Sequence, residues 1–278
     1  MRVSLLSLLM VLNLGFVPLQ TLGLTGSSDW AGFANAQTVG SFAERRLDTV
    51  SRPFPGPFDY TEPEDEYAAH SMWHLLLPRT YHAYVGYYHR GERPRPTVVL
   101  LHGSGRGGAS MIDMWQRVAD ENDLVLVAPD SAMRRGWSPF LDTSGFLDRV
   151  LDHAAETYPI DREQIYVFGH SAGAIHATGL ARENALNAVA FGAHGGFPKH
   201  VGRSAVETRA SISFFLGQWD QLFAVEDARA TGQALAANGH DVTLAVLPNH
   251  SHWYYADGPA VSRDAWRLLQ RDSRTARN

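Results

Sequence analysis

The sequence predicts an α/β fold: one domain built on a mostly parallel central sheet with helices on both faces. Three observations predict it. Short continuous apolar runs recur along the chain, such as Thr97-Val98-Val99-Leu100-Leu101, the pattern of strands buried on both faces. Stretches of helical periodicity alternate with these runs, which implies parallel strands joined by crossover helices. The composition, 45% hydrophobic and 19% charged, is that of a globular protein and not of a collagenous, coiled-coil or low-complexity chain. A length of 278 residues suits one domain of this class.

The elements follow in order. Residues 81–88 are aromatic-rich and partly alternating, an opening antiparallel strand, and Gly91, Pro94 and Pro96 make the turn behind it. Residues 97–101 form a buried strand. Residues 110–121 form a helix through Met111, Met114, Trp115 and Val118, and residues 124–128 a second buried strand ended by Pro129. A helix over 142–158 sets Phe146, Val150, Leu151 and Ala154 on one side. Strand 164–168 and helix 171–182 come next, then strands 187–191 and 211–216, helix 225–237, strand 242–247 and a closing helix over 259–270. In such sheets ligands bind beyond the carboxyl ends of the strands. Each candidate site residue below directly follows a strand.

Two segments precede this domain, which runs over 80–278. Residues 1–36 have the layout of a secretory signal peptide: Arg2 at the start, an apolar run from Leu5 to Leu12, and Ala34-Asn35-Ala36 ahead of Gln37. Ser7, Asn13, Gly15 and Pro18 interrupt the run, so it is a poor match to the roughly 20 apolar residues that span a bilayer. The expectation is a secreted or periplasmic protein with no stable membrane insertion after cleavage. Residues 37–79 read as an extended N-terminal arm, loop-like through 66, because Pro53, Pro55, Gly56, Pro57 and Pro63 interrupt regular structure.

A formal net charge of −5 argues against a nucleic-acid surface. With no cysteine, the chain has no disulfide, no thiolate metal site and no Cys nucleophile.

The chemistry concentrates in four loops. Gly169-His170-Ser171-Ala172-Gly173 lies between the strand ending at Phe168 and a helix. A serine at a sharp strand-to-helix turn is a nucleophile elbow: small neighbours let strand and helix approach while the hydroxyl stands clear of the sheet. The loop 103–108 holds four glycines in six positions after strand 97–101. It can turn N–H groups inward, so the backbone donors of Ser104 and Ala172 are the candidate oxyanion hole. The loop lacks the spacing and terminal Lys-Ser/Thr of a nucleotide-binding loop, and His102 reads as its support.

Asp220, in Gly217-Gln218-Trp219-Asp220 after strand 211–216, is the candidate carboxylate; Glu226 and Asp227 fall inside the next helix and Asp241 lies on the opposite edge. After the last strand, His250 and His252 both qualify as a base that would face Ser171 through one ring nitrogen and Asp220 through the other. Spacing alone does not separate them. The His-x-His pair has no third ligand for a metal. His70 and His74 lack the Glu of a zincin helix and read as surface or packing residues. No metal or cofactor is expected. Trp137, Trp219 and Trp253, with Tyr254 and Tyr255, are the candidate aromatic lining of a substrate pocket.

With these residues in hand, about residues 80–270 resemble the α/β-hydrolase superfamily, and most nearly secreted bacterial feruloyl esterases and polyhydroxybutyrate depolymerases. The resemblance rests on Leu101-His102-Gly103, Val127-Ala128-Pro129-Asp130 with Gly136-Trp137, and Ile160-Asp161-Arg162 ahead of Ile165-Tyr166-Val167. It rests equally on the serine elbow, Gly217-x-x-Asp220, and the histidine four residues past Pro248. It implies an α/β-hydrolase fold and a Ser-Asp-His order of catalytic residues. It selects His252, since hydrolases of this look carry the catalytic histidine at that offset. The implied activity is hydrolysis of carboxylic esters, small or polymer-borne, through an acyl-enzyme. A serine peptidase of the same fold, or a non-catalytic binding protein on the scaffold, are the alternatives. The chain departs from the depolymerase subgroup at Ser104, where members often carry a cysteine.

Overall fold

The apolar runs of the sequence lie side by side in the structure. The computed structural model describes residues 39–50, 59–63, 67–87, 93–133, 135–202 and 206–276. The leader expected over 1–36 lies outside them. Among the described residues the strands are β1 (Phe42–Arg46), β2 (Ala68–His74), β3 (Leu77–Val85), β4 (Arg95–Leu101), β5 (Val125–Pro129), β6 (Ile160–His170), β7 (Ala190–His194), β8 (Ser211–Gly217) and β9 (Asp241–Leu247). The helices are α1 (Gly108–Asn122), α2 (Ser144–Ala155), α3 (Ala172–Arg182), α4 (Val225–Ala237) and α5 (Tyr254–Ala276).

All strands share one sheet, ordered β1-β9-β8-β7-β6-β4-β5-β3-β2. Pairing is parallel from β1 through β5 in that order, and antiparallel between β5 and β3 and between β3 and β2. Alternate residues of one strand supply the two faces, as the two-residue repeat requires. Val99 and Leu101 of β4 join the core beneath α2, α3 and α4, while Val98 and Leu100 join the core beneath α1 and α5. Helices therefore cover both faces, and the fold is that of an α/β-hydrolase. Among the described residues no helix is long and apolar enough to cross a membrane.

The structure differs from the sequence reading at several places. The arm expected over 37–79 contains β2 and the start of β3, which pair antiparallel from Ala68↔Ala83 to His74↔Leu77. The stretch read as a loop-like arm contains β1, which pairs in register with β9 from Phe42↔Val242 to Arg46↔Val246. Its residues Phe-Ala-Glu-Arg-Arg are mostly exposed, so an edge strand without apolar alternation left no signal. Strand β7 begins three residues later than expected. Asn184, Leu186 and Asn187 adopt positive φ and end the preceding segment in a tight turn, a conformation asparagine tolerates. Helix α5 begins at Tyr254 and carries Pro259 inside it. Burial of Tyr254 and Tyr255 anchors the turn ahead of the proline.

Strands β4, β6, β8 and β9 all run in the same direction. Their carboxyl ends deliver His102, Ser171, Asp220 and His252 to one edge of the sheet.

Candidate active site

Ser171 follows β6 without a gap. Its backbone sits at φ 53°, ψ −112°, a left-handed conformation that a non-glycine residue holds only when its surroundings impose it. They do so here. A Cβ on Gly169 would fall on the backbone of Gly173, and a Cβ on Gly173 would fall on the Leu101 carbonyl. Strand and helix thus meet at backbone contact. The Ser171 N–H donates to the His194 carbonyl at 2.8 Å, and its own carbonyl accepts from Ala174 and Ile175 at 3.0 and 3.2 Å. The turn lifts the hydroxyl out of the sheet at the positive end of α3.

Asp220 closes the turn after β8, where Trp219 N–H donates to the His250 carbonyl at 2.9 Å and Asp220 N–H to Gly217 at 3.1 Å. The carboxylate is fully buried. Its Oδ1 accepts from the N–H groups of Leu222 and Phe223 at 2.8 and 3.0 Å. Its Oδ2 faces His252 Nδ1 at 2.9 Å, and His252 Nε2 lies 3.0 Å from Ser171 Oγ. A carboxylate only accepts, so His252 donates to it from Nδ1; in the neutral ring this leaves Nε2 as the acceptor facing the serine hydroxyl. His250 makes neither contact; its ring is buried and bonds to His194 and Asp257.

The glycine loop packs directly against the elbow: a Cβ on Gly103 would stand 3.4 Å from the Ser171 Cβ. Two carboxylates hold the far end of the loop at the start of α1. Glu62 accepts from the N–H groups of Gly107 and Ser110, both at 3.1 Å, and Asp130 accepts from Gly108 at 2.7 Å. Burial works against the Asp130 charge, but the donors His82 and Gly108 hold its carboxyl below the usual range. His102 supports the near end. Its Nδ1 donates to the Gly103 carbonyl at 2.8 Å and its Nε2 accepts from Ser131 N–H at 3.0 Å, and burial pushes its pKa down. The Ala172 N–H is the first of α3 and has no intrahelical acceptor. The Ser104 N–H has no protein acceptor among the described residues.

A model of the dienelactone hydrolase family matches residues 91–274, from β4 into α5, and so includes Ser171, Asp220 and His252. The chain is a member of the dienelactone hydrolase family. A dienelactone is a cyclic carboxylic ester, and the chain is a carboxylic ester hydrolase by family. Solved structures share its fold. A thermostable esterase is 18% identical with a TM-score of 0.57, over 74% of this chain and 63% of that one. A poly(3-hydroxybutyrate) depolymerase from Bordetella parapertussis is 21% identical with a TM-score of 0.53, over 74% and 94%. A ferulic acid esterase from Anaeromyces mucronatus, in complex with ferulic acid, is 16% identical with a TM-score of 0.58, over 78% and 95%. The hydrolase thus spans less than two thirds of the thermostable esterase and nearly all of the other two. No curated protein matches its sequence.

In this dienelactone hydrolase family member a groove of about 460 Å³ opens beside Ala172, walled by Trp137, Pro139, Ile175, His176 and Leu180. Trp137 is fixed on two sides. Its Nε1–H donates to the His102 carbonyl at 2.9 Å, and its ring stacks on His176 at 5.1 Å between centroids. The other expected lining residues do not join it. Trp219 and Trp253 lie outside this groove, each about half exposed. Tyr254 and Tyr255 are core residues: Tyr254 packs on His170 and His194, and Tyr255 stacks on Tyr60.

Sequence reasoning also passed over the supports of the groove and loop. Asp142 is buried and accepts from Arg79, Ala132 N–H and Ser138 N–H, which pins the segment that carries Trp137. The signal was present in the pair Arg79 and Asp142, but nothing in a sequence joins charges 63 positions apart.

Proposed function

We propose that the hydrolase cleaves carboxylic esters by two-step acyl transfer, with Ser171 as nucleophile, His252 as base and then acid, and Asp220 as the orienting carboxylate. The observation that carries this reading is the unbroken line of contacts: 3.0 Å from Ser171 Oγ to His252 Nε2 and 2.9 Å from His252 Nδ1 to Asp220 Oδ2. His252 accepts the hydroxyl proton as Oγ attacks the ester carbonyl. The N–H groups of Ala172 and Ser104 are the proposed donors to the oxygen as it gains charge; a donor of this kind is worth roughly 3 kcal/mol in the transition state. The imidazolium, stabilised by Asp220, then gives its proton to the departing alcohol. Water repeats the sequence on the acyl-enzyme.

The groove beside Ala172 supports a small aromatic or apolar acyl group, since Trp137 and Ile175 form its wall next to the elbow. The alcohol portion is small or polymer-borne. The leader pattern of residues 1–36 supports export to a secreted or periplasmic location.

A fluorophosphonate probe should label the wild-type protein at Ser171 and leave Ser171→Ala unlabelled. Turnover of a chromogenic ester should fall about 10⁴-fold or more in that variant, as for other triad nucleophiles. Full activity in Ser171→Ala would remove the assignment. Across a panel of acetyl, butyryl and feruloyl esters, Trp137→Ala should lower kcat/KM for the aryl ester more than for the acetyl ester. An equal loss across the panel would place the acyl group elsewhere.

A further inference from the structure

Behind the active site three histidine rings meet in single file. His170 ends β6, His194 ends β7 opposite it in register, and His250 follows β9. All three are buried, at 5%, 0% and 1% exposure, and none belongs to the proposed triad. His170 Nδ1 lies 3.0 Å from His194 Nδ1, and His194 Nε2 lies 2.9 Å from His250 Nε2. His250 Nδ1 lies 3.2 Å from Asp257 Oδ2, on the first turn of α5. The Tyr254 ring closes the file from one side, 5.1 Å from His170 and 5.0 Å from His194 between centroids.

The main chain of these same residues holds the reacting groups. His170 immediately precedes Ser171. The His194 carbonyl accepts the Ser171 N–H at 2.8 Å, and the next residue, Gly195, has no room for a side chain without pressing on the His252 ring. The His250 carbonyl accepts the Trp219 N–H at 2.9 Å, one residue before Asp220, and His250 lies two residues before His252. Each ring is therefore fastened to the segment that carries one member of the triad.

The proton order along the file follows from one end. Each nitrogen-to-nitrogen contact at these lengths needs one N–H and one lone pair. Asp257 is the acceptor at the outer end, so His250 donates from Nδ1; in a file with one proton on each ring, its Nε2 is left to accept. His194 then donates from Nε2 and presents a bare Nδ1, and His170 donates from Nδ1. A second proton on His194 would set two N–H groups face to face. Burial, and then the neighbouring imidazoles, holds both His170 and His194 well below the ordinary histidine range.

We propose that His170, His194, His250 and Asp257 are positioning residues of the hydrolase: a one-directional imidazole chain, anchored at Asp257, that keeps the segments bearing Ser171, Asp220 and His252 in mutual register. The proposal rests on those three residues being the reacting groups.

Nitrogen-15 NMR of histidine-labelled wild-type protein reads the order directly. The expected spectrum has single-proton tautomers, with the proton on Nδ1 in His170 and His250 and on Nε2 in His194. A proton on Nδ1 of His194, or on both of its nitrogens, overturns the chain. Asp257→Asn can donate as well as accept, and Asp257→Ala does neither. Both should scramble the tautomers and lower kcat about 10- to 100-fold, the scale of a small misplacement at the reacting centre. KM should stay within twofold, because the groove beside Ala172 is untouched. Wild-type kcat with unchanged tautomers in both variants sinks the proposal. Fluorophosphonate labelling separates the two layers. An unlabelled Ser171 removes the triad reading and this one with it, whereas a labelled Ser171 with reversed tautomers removes the imidazole chain alone.

Discussion

At the scale of single residues, the site depends on side chains that never face a substrate. Asp142 is the clearest case. Its carboxylate is buried and meets Arg79, itself 5% exposed, together with the N–H groups of Ala132 and Ser138. Removing one partner of a buried ion pair leaves the other charge uncompensated and costs about 3–5 kcal/mol. Asp142→Ala should lose stability on that scale in urea unfolding. Surviving protein should show a raised KM, because Trp137 sits on the released segment. A loss under about 1 kcal/mol, the range of an exposed pair, would mean that Arg79 finds water or another acceptor. Ser171 and Asp220 stood out in the sequence by their places just after apolar runs, whereas only the family resemblance separated His252 from His250. The supports did not stand out. Arg79 with Asp142, and His170 with His194 and His250, are brought together by strand order and side-chain rotamers, and neither leaves a local pattern. Tyr254 and Tyr255 show the opposite error. Their place next to the proposed base suggested a pocket, but the turn of α5 directs them into the core.

At the scale of elements, the apolar periodicity located the buried strands and helices, placed the start of α5 five residues too late, and missed the edges. β1 and β2 lie at the two margins of the sheet, where half of each strand meets solvent and the two-residue alternation fades. The β2–β3 hairpin shows how far an edge can stray from its ideal. His74 pairs with Leu77, so the loop is Leu75-Leu76, and both residues adopt positive φ, 48° and 62°. That geometry belongs to a two-residue turn that favours Asn-Gly, and a left-handed leucine costs about 1 kcal/mol or more. Both leucines are also largely exposed, 64% and 92%, so packing returns little. The double substitution Leu75→Asn with Leu76→Gly should therefore stabilise the protein, raising Tm by about 2–6 °C for a gain of 1–2 kcal/mol in a domain of this size. Turnover of a small acetyl ester should be unchanged, since the tip lies at the start of β3, three strands from β6 and Ser171. A fall in Tm would show that the leucines hold the turn by contacts of their own.

At the scale of the whole molecule, buried neutral imidazoles tie stability to pH. Burial lowers the pKa of His102, His170, His176 and His194 from the ordinary value of 6.5. In the unfolded chain these rings take up protons as pH falls through 6.5, while in the folded chain they do not until lower pH. The unfolded state thus binds more protons in that window, and stability must rise with pH across it and fall on acidification. Each ring that stays neutral in the native state contributes a slope approaching 1.4 kcal/mol per pH unit below 6.5, and the slope ends where the native ring itself protonates. Above pH 7 the contribution is complete and the curve should flatten. Urea unfolding at pH 7.5, 6.5, 5.5 and 5.0 measures this directly, before most carboxylates begin to titrate. His194→Gln supplies the control, because glutamine can still donate and accept hydrogen bonds but cannot titrate. If the variant folds, its unfolding free energy should fall less steeply between pH 6.5 and 5.0 than that of the wild type. Equal slopes would mean that His194 is already protonated in the native state, and the neutral file of rings beneath the active site would have to be abandoned.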